Sequence, residues 1–512
     1  MEKLNKKLIG NMSTVNNDLK VGNMSEMPEK VLQFGEGNFL RAFVDYMIDE
    51  TNSNDMFGGS IVAVQPIEQG LIGMLNEQDG LYTVILRGLE NGEKVVVKKV
   101  VTSISRGINP YQNFEDYKDC MKNPELRFIV SNTTESGITY NAPDKITDTP
   151  PTSFPAKITA LLHERYKIFN GDLTKGFIFI PCELIDNNGS ALKEIVIQYS
   201  KEWGLEEGFL NWIEKANYFT NTLVDRIVTG YPRDEVEMLT QELGYKDNLI
   251  NTAEIFHFFV IEGPKELSEE LPFHKIGLNV VWTDDATPYK ARKVRILNGG
   301  HTMSVLAAYM SGKDTVGEMM EDENFVEFLK LGIFEEIIPT LDLEYEDLKS
   351  FADAVFDRFA NPFIKHYLLS ISLNSVSKYK TRVLPSILEY NKRKGKLPKV
   401  LTMSFAALIA FYKGGEIKDG ALMGKRNGEE FKIMDDASTL EFFKDGWAKC
   451  DNSLEGITEL VKNVCKKEDF WEMDLNDVEG FADSVITILH NITTNENGMY
   501  EEIKKLVGDY NA

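Results

Sequence analysis

Residues 30–43 read KVLQFGEGNFLRAF, and the reading of this stretch decides the fold. KVLQF (30–34) is a short apolar run of strand length that stops at Gly35-Glu36-Gly37. The residues after it, NFLRAFVDYMIDE, set Phe39, Phe43, Tyr46 and Met47 at helical spacing. Strand, glycine turn and helix in that order predict the opening of a dinucleotide-binding unit. Gly35 allows the tight turn, Gly37 lets a pyrophosphate approach the backbone, and the helix start offers amides and a positive dipole end. Phe34, Gly35, Gly37, Asn38 and Phe39 are therefore candidate cofactor contacts. The third position of the glycine fingerprint is Leu40, and glycines also make turns for structural reasons alone, so the strand–turn–helix context carries the reading.

Working outward, SIVAVQ (60–65) is a second apolar run. The acid that binds a ribose hydroxyl is expected at the end of the second strand. Gln65 holds that place, and Glu68 is the nearest acid beyond it; it is either the ribose ligand or a solvated loop carboxylate. No arginine there welcomes a 2′-phosphate, which favours NAD over NADP. Asn91-Gly92, between LYTVILRGLE and EKVVVKKVV, predicts a hairpin. LRFIVSNT (126–133) and KGFIFIPCE (175–183) read as further strands.

Strands alternating with helices predict a mostly parallel sheet in a Rossmann-type α/β domain over residues 1–288. Strand signals nearly vanish after GLNVVWTDDATPYKARK (277–293), which reads as one last strand and a loop. Apolar helical patterns follow, so 289–512 is expected to be a mainly α-helical domain.

The 512 residues, 43% hydrophobic and 27% charged, suffice for a sizeable core. A net charge of −24 argues against a nucleic-acid partner and repels anionic ligands at long range, so a site for an acid must hold local cations. Cys120, Cys182, Cys450 and Cys465 form no CxxC pair and no zinc-finger spacing, so no metal is expected and a reduced, cytoplasmic setting is the simple reading. The N-terminus has no signal-like apolar segment, and no run of about 18 apolar residues predicts a membrane span.

KVRILNGGH (293–301) lies at the handover between the two patterns. On an α-helix at about 100° per residue, Lys293, Asn298 and His301 fall within an arc of about 140°. A lysine buried there would lose its charge more easily, as a general base must, and an asparagine can donate to a substrate oxygen. His301 could orient a hydroxyl. The competing reading is a basic surface turn in which Asn-Gly caps a helix.

Seven stretches in this order resemble the polyol-specific long-chain dehydrogenases, the mannitol dehydrogenase family. They are FGEGNFLRAF (34–43), QDGLYT (78–83), SNTTESGI (131–138), PCELIDNNG (181–189), FTNTLVDRI (219–227), KVRILNGGH (293–301) and HYLLSISLNSVSK (366–378). The resemblance covers nearly the whole chain. It implies a Rossmann-type domain, a helical domain, and zinc-independent hydride transfer with NAD. Lys293 would be the general base, Asn298 would polarise the carbonyl and His301 would bind a substrate hydroxyl. Glu135 would relay the proton to water, unless it is only a solvated loop acid. Asn132, Thr133 and Asp225 would lie near the cofactor; an ion pair of Asp225 with Arg226 on a helix is the plainer reading.

Two departures bear on the substrate. Family members carry Cys-Asp-Asn where this chain has Cys182-Glu183-Leu184, so a second oxyanion asparagine is missing while Asn188 is kept. They carry an arginine where this chain has Ser370, while Lys378 is kept. The expected partner is therefore a small sugar acid, bound by Asn188, His366, Lys378 and Arg382, rather than mannitol. The readings left open are another keto-acid or polyol as substrate, and a nucleotide-binding sensor without catalysis. The oligomeric state, monomer or dimer, is not written in the sequence.

Overall fold

The structure, a computed structural model, describes residues 1–11 and 18–511. The chain divides into two compact units, one of residues 1–88 with 93–286 and one of residues 89–92 with 287–512.

The first unit is built on a six-stranded sheet: β1 (Glu29–Phe34), β2 (Ser60–Val64), β3 (Ile104–Ile108), β4 (Phe128–Ser131), β5 (Ile178–Pro181) and β6 (Tyr218–Phe219). Its order is β3-β2-β1-β4-β5-β6. Every pairing is parallel, with Phe34 opposite Val64 on one side and Ser131 on the other. This is the strand order of dinucleotide-binding sheets, and the change of direction between β1 and β4 opens a crevice at their carboxyl ends. Every residue of β2, β4 and β5 is buried, as a parallel sheet covered on both faces requires. Alternate residues feed separate cores. Val31, Ala63, Val130 and Ile178 face one, while Leu32, Phe34, Val62, Ile129 and Phe179 face the other.

Two further sheets belong to this unit, which the strand signals by themselves do not separate from the first. One runs Leu19–Val21, Glu93–Val101, Tyr82–Glu90, Asn251–Glu254, Val228–Gly230, and the other Asn221–Asp225, Phe258–Glu262, Val280–Thr283. The predicted hairpin is present: Tyr82–Glu90 and Glu93–Val101 are neighbours, and Asn91 and Gly92 both have positive φ, 53° and 78°. That pair of left-handed residues is what a two-residue turn matched to strand twist needs.

The second unit is helical around Lys399–Phe411, in which Val400 through Phe411 are all buried. Pro398 offers no side-chain cap at its start; the buried carboxylate of Glu336 accepts from Val400 and Leu401 amides instead. The mainly helical unit also carries one small sheet. Gly414–Lys418, Ala421–Arg426 and Glu429–Ile433 form an antiparallel sheet, turned by Asp419-Gly420 and Asn427-Gly428, all four with positive φ.

Candidate active site

The glycine turn closes β1. Gly35 has φ of +116°, and a Cβ there would meet the Asn132 carbonyl oxygen at 3.0 Å, so the turn after β1 and the turn after β4 touch through a missing side chain. Gly37 is exposed, with nothing within 4 Å of an added Cβ. This open space over exposed backbone, at the crevice of the sheet, fits a pyrophosphate. The helix beyond it is shorter than expected. It runs Asn38–Arg41, breaks at Ala42-Phe43 and restarts as Val44–Ser53. The cause lies in side chains that take its carbonyls: Tyr82 Oη donates to Arg41 O at 3.0 Å and Arg226 Nη1 to Ala42 O at 2.6 Å.

Phe34 is fully buried against Tyr117 and Phe154, and its carbonyl accepts from Asn132 N, so it is a core residue. The segment holding Asp225 and Arg226 is extended, so a helical ion pair does not arise; neighbours on a strand point to opposite faces. Asp225 is buried, and Arg226 donates to the carbonyls of Ala42, Ile255 and Phe256. Asn38 is exposed with its Oδ1 held by Arg41, and Phe39 stacks on Phe43 at 4.9 Å. Glu68 is exposed.

The turn after β4 is fastened by Glu183, which stands where the family motif has an aspartate. Glu183 is buried, and its carboxylate accepts from Ser131 Oγ, Thr133 N and Thr133 Oγ1 at 2.9–3.0 Å. Burial pushes its pKa up while these donors pull it down. The Thr133 hydroxyl is thus engaged by protein, as is the Asn132 amide, which donates to Cys182 O at 2.7 Å. Glu135 follows on the same loop and is exposed. Asn188 is fully buried. Its amide donates to Pro181 O, Glu183 O and Thr222 Oγ1 and its Oδ1 accepts from Thr222 N. In this arrangement Asn188 ties β5 to the strand Asn221–Asp225, and the substrate contact expected of it is replaced by a positioning role.

In the second unit, Lys293–Asn298 is a π-helical turn set between the α-helices Thr287–Arg292 and Gly299–Met310. The Gly299 amide reaches Val294 O, five residues back. A π turn absorbs one residue, so offsets of five and eight act as four and seven. Lys293, Asn298 and His301 then share an arc of about 60° instead of about 140°. All three are half-buried. Gly299 between them serves packing: a Cβ there would lie 3.1 Å from Arg382 O.

His301 stacks on Phe359 with ring centroids 4.0 Å apart and meets the His366 ring edge-on at 5.3 Å. Burial, then His366, Arg358 and Arg382, hold its pKa well below the ordinary imidazole value. Its Nδ1 is buried without a hydrogen-bond partner among the described residues. Lys378 donates to Ile371 O at 2.9 Å, and its pKa is lowered by burial and by Arg382. Burial also lowers Arg382 and His366. The structure therefore brings Lys293, Asn298, His301, His366, Lys378 and Arg382 onto one unit and adds Arg358 and Phe359, which came from a helix (Tyr345–Phe359) with no polar motif to mark it. Among the described residues no group of three or more His, Cys, Asp or Glu could hold a metal ion, and no helix is long and apolar enough to cross a membrane.

Comparison with known proteins agrees with this layout. The Mannitol dehydrogenase Rossmann domain matches residues 29–275, and the Mannitol dehydrogenase C-terminal domain matches residues 285–493. The altronate oxidoreductases of Escherichia coli O139:H28 (strain E24377A) and O9:H4 (strain HS) are each 50% identical over 483 residues, covering 94% of this chain and 98% of theirs. Two solved structures share the fold. Pseudomonas fluorescens mannitol 2-dehydrogenase, in a ternary complex with NAD and D-mannitol, has a TM-score of 0.65 at 21% identity, covering 99% of both chains. A substrate-free D-sorbitol dehydrogenase has a TM-score of 0.77 at 18% identity, covering 97% of this chain and 99% of the other. The chain belongs to the mannitol dehydrogenase family.

Proposed function

We propose that the protein is an NAD-dependent oxidoreductase of hexuronate catabolism that interconverts D-tagaturonate and D-altronate in the cytoplasm. The name of its half-identical relatives supports the reaction. The observation that carries a sugar acid over a neutral polyol is the Lys378–Arg382 pair. These cations stand four residues apart on the helix Ser375–Arg382 and are half-buried; burial and Arg382 lower the pKa of Lys378, burial lowers that of Arg382, and Arg382 also acts on His301. Like charges at that spacing destabilise a helix, and burial adds to the cost; a bound carboxylate offsets both. In a chain of net charge −24, such a cluster is the local exception that an anionic substrate needs.

The open space over Gly37 and the constrained turn at Gly35 would hold the pyrophosphate of NAD, which when bound supplies or accepts the hydride. The chain's own groups handle the rest. The Asn298 amide donates to the carbonyl oxygen and steadies the charge that grows there during reduction. Lys293, as an ammonium, gives that oxygen its proton; in the reverse direction the amine removes it. Neutral His301 offers its free Nδ1 to a substrate hydroxyl. Glu135, exposed on its loop, passes protons to water. Lys378 and Arg382 clasp the carboxylate.

The test is a substrate panel. Purified protein with NADH is offered D-tagaturonate, D-fructuronate and D-fructose, and with NAD it is offered D-altronate and D-mannitol. D-tagaturonate and D-altronate should give the highest kcat/KM. A preference for fructose or mannitol would refute the reading, and activity with none would favour a sensor.

A further inference from the structure

The turn after β1 carries an acid between its glycines, and its side chain reaches the turn after β2. Glu36 is 6% exposed, and its Oε1 accepts from the Leu71 amide at 2.9 Å. Gly70 is the spacer that makes this possible. A Cβ there would lie 2.1 Å from Glu36 Oε1 and 2.6 Å from Gln65 Cδ, so the two side chains converge on the space that Gly70 leaves. Gln65 itself holds the place at the end of β2 where a ribose-binding acid belongs. Its amide is spent on its own loop, donating to Ile67 O at 3.0 Å and Glu68 O at 2.8 Å. Because β1 and β2 are direct parallel neighbours, an acid at the tip of β1 can stand in for one at the tip of β2.

We infer that Glu36, and not Glu68, is the specificity-determining carboxylate at the adenosine ribose, the group that admits a 2′-hydroxyl and turns away a 2′-phosphate. The inference rests on the proposed use of NAD. The contrast between the two acids is physical. Glu68 is exposed, where water and salt weaken its repulsion of a phosphate. Glu36 is enclosed, anchored through one oxygen to a backbone amide and backed by Arg41, whose Nε donates to the Glu36 carbonyl at 3.1 Å. A charge fixed in a low-dielectric wall acts over a longer range than a mobile one in solvent. Burial raises the pKa of Glu36, and the Leu71 amide and Arg41 oppose that rise. Gly70 adds a second, steric requirement: any side chain there would push Glu36 out of place.

The experiment compares Glu36→Gln with Glu68→Gln in the full chain, each assayed with NADH and NADPH under saturating keto-acid. Glutamine keeps the acceptor for the Leu71 amide, so only charge is lost at residue 36. The ratio of kcat/KM for NADPH to that for NADH should rise by about tenfold or more in Glu36→Gln and stay within about threefold of wild type in Glu68→Gln. The KM for the keto-acid should be unchanged in both. An unchanged ratio in Glu36→Gln, or a rise of the same size in Glu68→Gln, overturns the inference while leaving the use of NAD intact. A wild-type protein that prefers NADPH would instead overturn the reading beneath it. Gly70→Ala serves as a second probe: it should raise the KM for NADH, and an unchanged KM would contradict the placement of Glu36.

Discussion

The π turn at Lys293–Asn298 sets up a paired length test. In a regular α-helix, residues four apart lie about 40° from alignment and residues five apart about 140°. The turn cancels one residue, which is why Lys293 and Asn298 share a face despite their spacing of five. Inserting one alanine after Val294 adds a residue that the turn cannot also absorb. Lys293 would then rotate by about 100° against Asn298 and His301, a sideways shift of about 3.5 Å at a Cα radius of about 2.3 Å. Misplacement of about 1 Å can cost about 10²-fold in rate, so the insertion should lower kcat by at least about 10²-fold. Deleting Val294 is the counterpart. It leaves an α-helix in which lysine, asparagine and histidine stand at i, i+4 and i+7, still on one face. The deletion should therefore retain at least about tenfold more turnover than the insertion, although both change the helix by one residue. Steady-state kinetics with NADH and D-tagaturonate reads the difference, and NADH fluorescence and melting temperature confirm that each variant is folded. If the two variants lose activity equally, or the insertion keeps wild-type turnover, the alignment argument is wrong.

Further expectations concern single groups. Lys293→Ala should lower kcat by about 10²–10⁴-fold and leave the NADH Kd within about threefold, as steady-state and fluorescence titrations would report. Asn298→Ala should cost about 10²–10³-fold in kcat, whereas His301→Ala should act mainly on KM. Arg382→Gln should weaken kcat/KM for the sugar acid by about 10- to 100-fold and that for fructose far less, since a charge-assisted hydrogen bond contributes about 1.5–3 kcal/mol; equal losses on both substrates would remove the carboxylate reading. Stability should respond to pH in opposite senses at two sites. Asp45 is fully buried, with its pKa raised to about 7 by burial, so the folded state keeps a proton that the unfolded state releases near pH 4, and its contribution falls as pH rises from about 4 to 7. Asp45→Asn should accordingly gain on wild type in denaturation midpoint between pH 5 and pH 8. His301 is held neutral when folded, so its contribution is present above about pH 6.5 and is lost as pH falls below it; His301→Asn should flatten that acid limb.

The parts of the molecule legible in the sequence are those governed by neighbours in the chain. KVLQF and the glycines after it announce strand and turn because burial on both faces and a left-handed glycine leave direct marks. Asn91-Gly92 announces its hairpin for the same reason, and Asp419-Gly420 and Asn427-Gly428 carried the same signal within a stretch read as helical. What the sequence hides depends on distant partners. Phe34 looks like part of a cofactor turn, yet its ring belongs to the core under Phe154. The break at Ala42-Phe43 comes from Tyr82 and Arg226, and Arg226 is 184 residues away from the carbonyl it takes. Asn188 fits a family motif, but Thr222 and two carbonyls claim its amide. A period of 3.6 understates the alignment of Lys293 with Asn298, because the backbone there closes over five residues.

The half-buried cations at Lys378 and Arg382, set in a chain of net charge −24, have a consequence for ionic strength. At physiological salt the Debye length is about 8 Å, so the acidic exterior is screened far more than a pair sheltered from solvent. Adding salt should then hasten the arrival of a monoanionic sugar acid by quieting long-range repulsion, while scarcely loosening its hold once it is seated. Such an enzyme would become more efficient in concentrated electrolyte, the reverse of proteins that draw in their ligands by surface charge.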